Sequence, residues 1–162
     1  MKITSPYRLL LSSIFSIAIL FITAFPAQAY ISPTTGSHKP GTVLRGFNKP
    51  ERNWLPGHRG VDLALAIGSQ VFAAEDGTVA FAGMVAGIPV VSIDHADGIR
   101  TTYQPVHALV TAGDKVSEGQ VIGTLSHPTD GYPGLHWGAR TGKDEYLNPL
   151  SLLDFPIIRL KP

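Results

Sequence analysis

The sequence contains no cysteine. Disulfide staples, thiol catalysis and cysteine-type zinc sites are therefore excluded, and an exported fold of this size has to be held by its core, with or without help from a metal. Net charge is also nearly absent: 13 Lys and Arg stand against 12 Asp and Glu, a formal +1 at pH 7. Such a balance gives no electrostatic basis for binding nucleic acid, and no nucleic-acid partner is expected. Beyond Tyr30, no window of roughly ten residues keeps a clean helical period, so any helix should be short.

A long apolar run occurs once, at the start. Lys2 and Arg8 form a basic opening, Leu9 to Phe25 is almost wholly apolar, and Ala27-Gln28-Ala29 presents small residues at a cleavage position. This reads as a secretory signal peptide over residues 1–29. An uncleaved anchor is the alternative, because the run is only a little shorter than the roughly 20 residues that span a bilayer. Cleavage leaves about 130 residues, enough for one domain with a core. No acidic residue precedes position 29, so losing Lys2 and Arg8 turns the formal charge to −1. The expected organisation is an extended leader over 30–56, a folded domain over 57–155 with Gly41 as an alternative start, and a tail over 156–162. A monomer is expected, secreted or held in the cell envelope, with no membrane contact after cleavage.

Residues 30–56 are rich in Pro, Gly, Ser, Thr and Asn without sustained period, and only Thr42 to Phe47 reads as a short strand. After Gly57 come short apolar runs broken by turn signals: Val71 to Ala74, Thr78 to Ala82, Pro89 to Asp94, Arg100 to Tyr103, Gln120 to Leu125 and Leu135 to Ala139. That spacing predicts an all-β fold, a small antiparallel sheet or sandwich. Asp76-Gly77 and Asp97-Gly98 predict two hairpin turns, because Asp-Gly suits the positive φ angles of a type I′ turn.

The densest polar cluster is Gly57-His58-Arg59-Gly60-Val61-Asp62-Leu63-Ala64. His and Asp are ordinary zinc ligands. Pro56-Gly57 and Gly60 argue against a helix, and on a straight strand His58 and Asp62 would stand roughly 13 Å apart. A bend or bulge at Gly60 would draw them together. Alone, the pair reads more readily as a surface salt bridge or turn, and a metal needs a third ligand. His136 is the candidate, on a segment where alternation buries Leu135, Trp137 and Ala139 and turns His136 to the other face.

His58-Arg59-Gly60-Val61-Asp62-Leu63-Ala64, the glycine-bounded hairpins, Gly113-Asp114-Lys115-Val116 through Gln120-Val121-Ile122-Gly123, and Leu135-His136-Trp137 resemble, in that order, the lysostaphin-type (LytM-like) zinc metallopeptidases. The resemblance covers about Gly41 to Leu153. It implies an all-β domain of the duplicated hybrid motif type and one Zn²⁺ held by His58, Asp62 and His136 with water in the fourth position. It also implies cleavage of peptide bonds in peptidoglycan. The chain departs from the family pattern at two places, where histidines of presumed proton-transfer role correspond to Gly134 and Pro105. His127, in the loop leading to His136, is the first candidate to replace them. His107, two residues past Pro105, is the second, and Tyr103 is a candidate contact to substrate or to the zinc-bound oxygen.

Two functions follow as expectations. The first is an exported zinc endopeptidase whose partner is a peptidoglycan peptide. The second is a non-catalytic LytM-like module that binds cell wall or regulates another wall hydrolase. A biotinyl- or lipoyl-type carrier, suggested by Gly113 to Gln120, is excluded because neither Asp-Gly turn presents a lysine.

Overall fold

A computed structural model describes residues 29–52, 54–128 and 130–153. Residues 1–28 of the expected signal peptide 1–29, the last two residues of the expected domain and the expected tail 156–162 lie outside the described residues. Within them are eleven strands: β1 Val43–Arg45, β2 Gly60–Leu63, β3 Gln70–Phe72, β4 Gly77–Val85, β5 Ile88–Asp94, β6 Arg100–Gln104, β7 Val106–Ala108, β8 Lys115–Val116, β9 Val121–Leu125, β10 Leu135–Arg140 and β11 Tyr146–Leu147. One short 3-10 helix, Pro149–Leu152, is capped by Asn148, whose side chain accepts from the Leu150 N–H. No described helix is long and apolar enough to cross a membrane.

The strands form two antiparallel sheets. The larger runs β1-β2-β10-β6-β5-β4-β8, with β11 also paired to β10, and the smaller runs β3-β9-β7. Period-two alternation turns Leu135 and Trp137 of β10, Tyr103 of β6, Val91 and Ile93 of β5 and Val61 and Leu63 of β2 into the core. They share that core with Val71, Ile122 and Val106 of the smaller sheet. The opposite face of the larger sheet is left for Asp62, His136 and Gln104, which lie side by side in register on β2, β10 and β6. The all-β, two-layer expectation is therefore met, with every strand pair antiparallel.

The turns differ from expectation. Asp76-Gly77 closes no hairpin: β3 pairs with β9 in the smaller sheet, and Gly77 begins β4 in the larger one. Asp97-Gly98 does join two paired strands, β5 and β6, but inside a longer turn in which the His95 N–H donates to the Ile99 carbonyl. The two-residue turn is Ala86-Gly87, both at positive φ, between the paired residues Val85 and Ile88. Strand pairing across β4 and β5 forces a turn there that Ala86 does not advertise.

Residues 30–56 are also more than a leader. Tyr30 and Ile31 are buried, the Tyr30 N–H donates to the Leu152 carbonyl, and the Ile31 N–H donates to the Ala74 carbonyl. Asn48 and His58 exchange backbone hydrogen bonds, and β1 adds to the edge of β2. Two apolar anchors and a few backbone pairs, too short to show a period, bind the segment into the domain.

Candidate metal centre

His58, Asp62 and His136 converge although the first and last are 78 residues apart. Asp62 and His136 are direct partners across the β2–β10 ladder, so their side chains leave the sheet on the same face. His58 stands before β2 begins, fixed by its backbone pair with Asn48. The distance objection of a straight strand therefore does not arise. The expected bend at Gly60 is replaced by a close approach: a Cβ there would lie 2.5 Å from the Trp137 carbonyl oxygen and 2.7 Å from the His136 ring. Glycine at this position lets β2 and β10 pair while His136 lies flat against the backbone.

Three donor atoms face one another at short range. His58 Nε2 is 3.0 Å from Asp62 Oδ1 and 3.1 Å from His136 Nδ1, and His136 Nδ1 is 2.8 Å from the same Oδ1. The Gly46 carbonyl, 2.7 Å from His58 Nδ1, only accepts, so that nitrogen carries the proton. With the Nδ1 proton committed to Gly46, His58 turns Nε2 to a carboxylate and a second imidazole, an arrangement that could hold a shared cation. Ligands about 2.0–2.1 Å from one tetrahedral ion sit about 3.3 Å apart, close to the spacings here. The carbonyl behind His58 is the kind of outer partner that orients an imidazole for metal binding. Two nitrogens and one oxygen fit zinc.

Burial raises the pKa of Asp62, but the His136 hydrogen bond and the charge of both imidazoles outweigh it and hold the carboxyl below its usual range. Arg45 Nη1 lies 4.0 Å from Asp62 Oδ2, and its guanidinium stacks 4.2 Å above the centre of the Tyr132 ring. Asp130, Tyr132, Gly134 and Gln104 line the pocket beside Asp62 and His136.

The other sequence candidates lie apart from the cluster. Tyr103 is fully buried, with its hydroxyl accepting from the Ala74 N–H at 3.1 Å and 2.8 Å from the Thr101 hydroxyl. It faces the core because β6 alternates, which corrects its expected contact with substrate. His107 is exposed and bonds the Ser126 hydroxyl at 2.9 Å. His127 is exposed and is not among the residues lining the pocket, whereas its loop neighbours Asp130 and Tyr132 are. Sequence reasoning named the loop but missed these two, and it missed Arg45. For Asp130 and Tyr132 the available signal was their position in the segment leading into the His136 strand.

Gly134 has φ +89°, and a Cβ built there would fall 2.2 Å from the Leu63 carbonyl oxygen. The backbone itself, and not only the side chain, is incompatible with an L-residue at this point.

Residues 56–149 match the family described as Peptidase family M23. A Mycobacterium tuberculosis protein described as uncharacterized is 49% identical over 132 residues, covering 76% of this chain and 52% of that relative. The chain thus spans about half the length of such relatives. The DD-carboxypeptidase/endopeptidase Mpg of Neisseria meningitidis serogroup B is 36% identical over 97 residues, 59% of this chain and 22% of Mpg. Among solved structures, the catalytic domain of the antimicrobial peptidase lysostaphin from Staphylococcus simulans superimposes with a TM-score of 0.61 at 25% identity, over 71% of this chain and 93% of that domain.

Proposed function

The chain belongs to peptidase family M23, and from that premise we propose that it is an exported zinc endopeptidase that cleaves peptide bonds in peptidoglycan. The observation that carries this reading is the His58, Asp62 and His136 donor set, with mutual distances of 2.8 to 3.1 Å. The DD-carboxypeptidase/endopeptidase activity of Mpg, a relative over 59% of this chain, supports it.

A zinc ion bound there would supply Lewis acidity, polarising the scissile carbonyl and acidifying water towards a pKa of about 7. The protein's own groups prepare the site. The Gly46 carbonyl fixes the His58 tautomer, Gly60 admits the His136 ring, and Arg45 stands beside the outer oxygen of Asp62. Proton movement is assigned to the loop between Ser126 and Gly134, which carries His127 and places Asp130 and Tyr132 against the pocket. In this reading the loop replaces the two histidines whose positions are taken by Gly134 and Pro105.

A second reading is favoured by Gly134 alone: a backbone closed to a side chain at that point suits a module that keeps the groove but binds wall or activates another hydrolase. Incubating the zinc-loaded protein with purified peptidoglycan, with and without chelator, separates the two. New amino termini that vanish with chelator are expected, and intact peptidoglycan retained on the protein would support the binding module. Mass spectrometry of the exported product tests the signal peptide, with a mature start at or near Tyr30 expected and an intact Met1 overturning it.

A further inference from the structure

The outer face of the larger sheet continues past the metal ligands. On β10 the residues sharing that face are His136, Gly138 and Arg140, and their register partners on β6 are Gln104, Thr102 and Arg100. Gly138 leaves the floor low, so an open groove runs from His136 to Arg140, walled by Arg59 and Val85. Beyond Arg140 the groove continues to Lys143. The charges along it are unbalanced. Arg100 is engaged by Asp94 through two hydrogen bonds of 2.5 and 2.7 Å. The nearby Glu145 carboxylate accepts from the Thr141 hydroxyl.

Arg140 is only partly exposed, and its guanidinium forms no hydrogen bond or ion pair with the described residues, feeling Asp94 only at a distance. A half-buried guanidinium with no hydrogen-bonding partner among the described residues, in a groove that begins at the metal ligands, suits an anion. The other arm of the cleft, by contrast, presents Asp130. Arg45 on that arm is already engaged, by Asp62 Oδ2 at 4.0 Å and by the Tyr132 ring at 4.2 Å, so the β10 side offers an anion the less engaged guanidinium.

We infer that Arg140 is a specificity-determining residue that receives a free carboxylate of the peptide substrate. This rests on the peptidase reading above. Four strand steps lead from His136 to Arg140, roughly 13 Å, so the carboxylate belongs about four residues of extended peptide from the bond held at the metal centre. Its source is either a peptide C-terminus or an acidic side chain.

The test uses the zinc-loaded full chain and three blocked alanine peptides: one with a free C-terminal carboxylate, one with a C-terminal amide, and one with an amide end and a single Glu. Equilibrium binding is measured by thermophoresis, and cleavage is followed in parallel by chromatography. A charge-assisted pair in a half-open groove should favour one acid peptide over the amide about ten-fold. That advantage should disappear in Arg140→Gln, persist in part in Arg140→Lys, and shrink at high salt. The acid peptide that holds the advantage identifies the source. Equal binding of all three peptides, no binding of any, or an advantage that survives Arg140→Gln overturns the inference. An Arg140-dependent preference without cleavage of any peptide would leave the inference standing and remove the peptidase reading.

Discussion

His58 Nε2 and His136 Nδ1 stand 3.1 Å apart, and the Gly46 carbonyl requires the proton of His58 to sit on its other nitrogen. Bringing two imidazoles and the Asp62 carboxylate to this separation costs free energy unless a cation or an added proton lies among them. The first prediction follows. Protein purified without chelator should carry about one zinc per chain, and chelator should lower its melting temperature, since a ligand that binds only the folded state stabilises it by mass action. His136→Ala should remove the bound zinc and with it the chelator effect. Full zinc content in that variant would mean that other residues hold the ion.

The second prediction concerns Gly134, where restoring a histidine is the obvious experiment. The structure argues that it will fail for a backbone reason: φ is +89° and a Cβ meets the Leu63 carbonyl oxygen at 2.2 Å. Even Gly134→Ala should therefore destabilise the protein, by at least the roughly 1–2 kcal/mol of a left-handed L-residue, with an added clash. Thermal unfolding measures this. Undiminished stability together with new activity in Gly134→His would show that the loop before β10 rearranges freely.

How much of this was legible in the sequence depended on which force acted. Leu135, Trp137 and Ala139 were readable as core because alternation is a local consequence of strand geometry, and the same alternation exposed His136. The grouping of His58, Asp62 and His136 was anticipated from motif order. Long-range pairing was not. That β3 joins β9 rather than β4, and that Tyr30 docks beside Leu152, depend on contacts between distant segments which no local pattern records. Tyr103 was misplaced for a related reason: its neighbours in sequence suggested the site, while strand parity turned it inward. Arg140 was passed over because an arginine at a strand end looks solvated until its partners are counted.

The third prediction divides the loop that leads into β10. Asp130 lines the pocket and His127 does not, so Asp130→Asn should lower kcat more than His127→Ala does, with zinc content unchanged in both. A positioned acid or base is worth about 10²- to 10⁴-fold. If His127→Ala alone silences the protein, the loop must carry that imidazole over the metal when substrate binds, as first expected from the sequence.

The last prediction tests whether Tyr103 serves the core or the site. Burial strips its tyrosinate of water and raises its pKa from 10.0 to about 12, against the opposing hydrogen bonds from Thr101 and the Ala74 N–H. The folded state therefore holds this proton more tightly than the unfolded chain. Its contribution to stability is complete below pH 10 and declines as pH rises from 10 towards 12, by an amount of order 3 kcal/mol at about 1.4 kcal/mol per pKa unit. Tyr103→Phe should shed that part of the alkaline loss in urea unfolding measured across this range. At neutral pH the same variant leaves the buried Ala74 N–H without its acceptor, a cost of about 1–3 kcal/mol. Zinc content and turnover should stay near wild type at a temperature where both proteins are folded. A large fall in turnover with stability unchanged would return Tyr103 to the site.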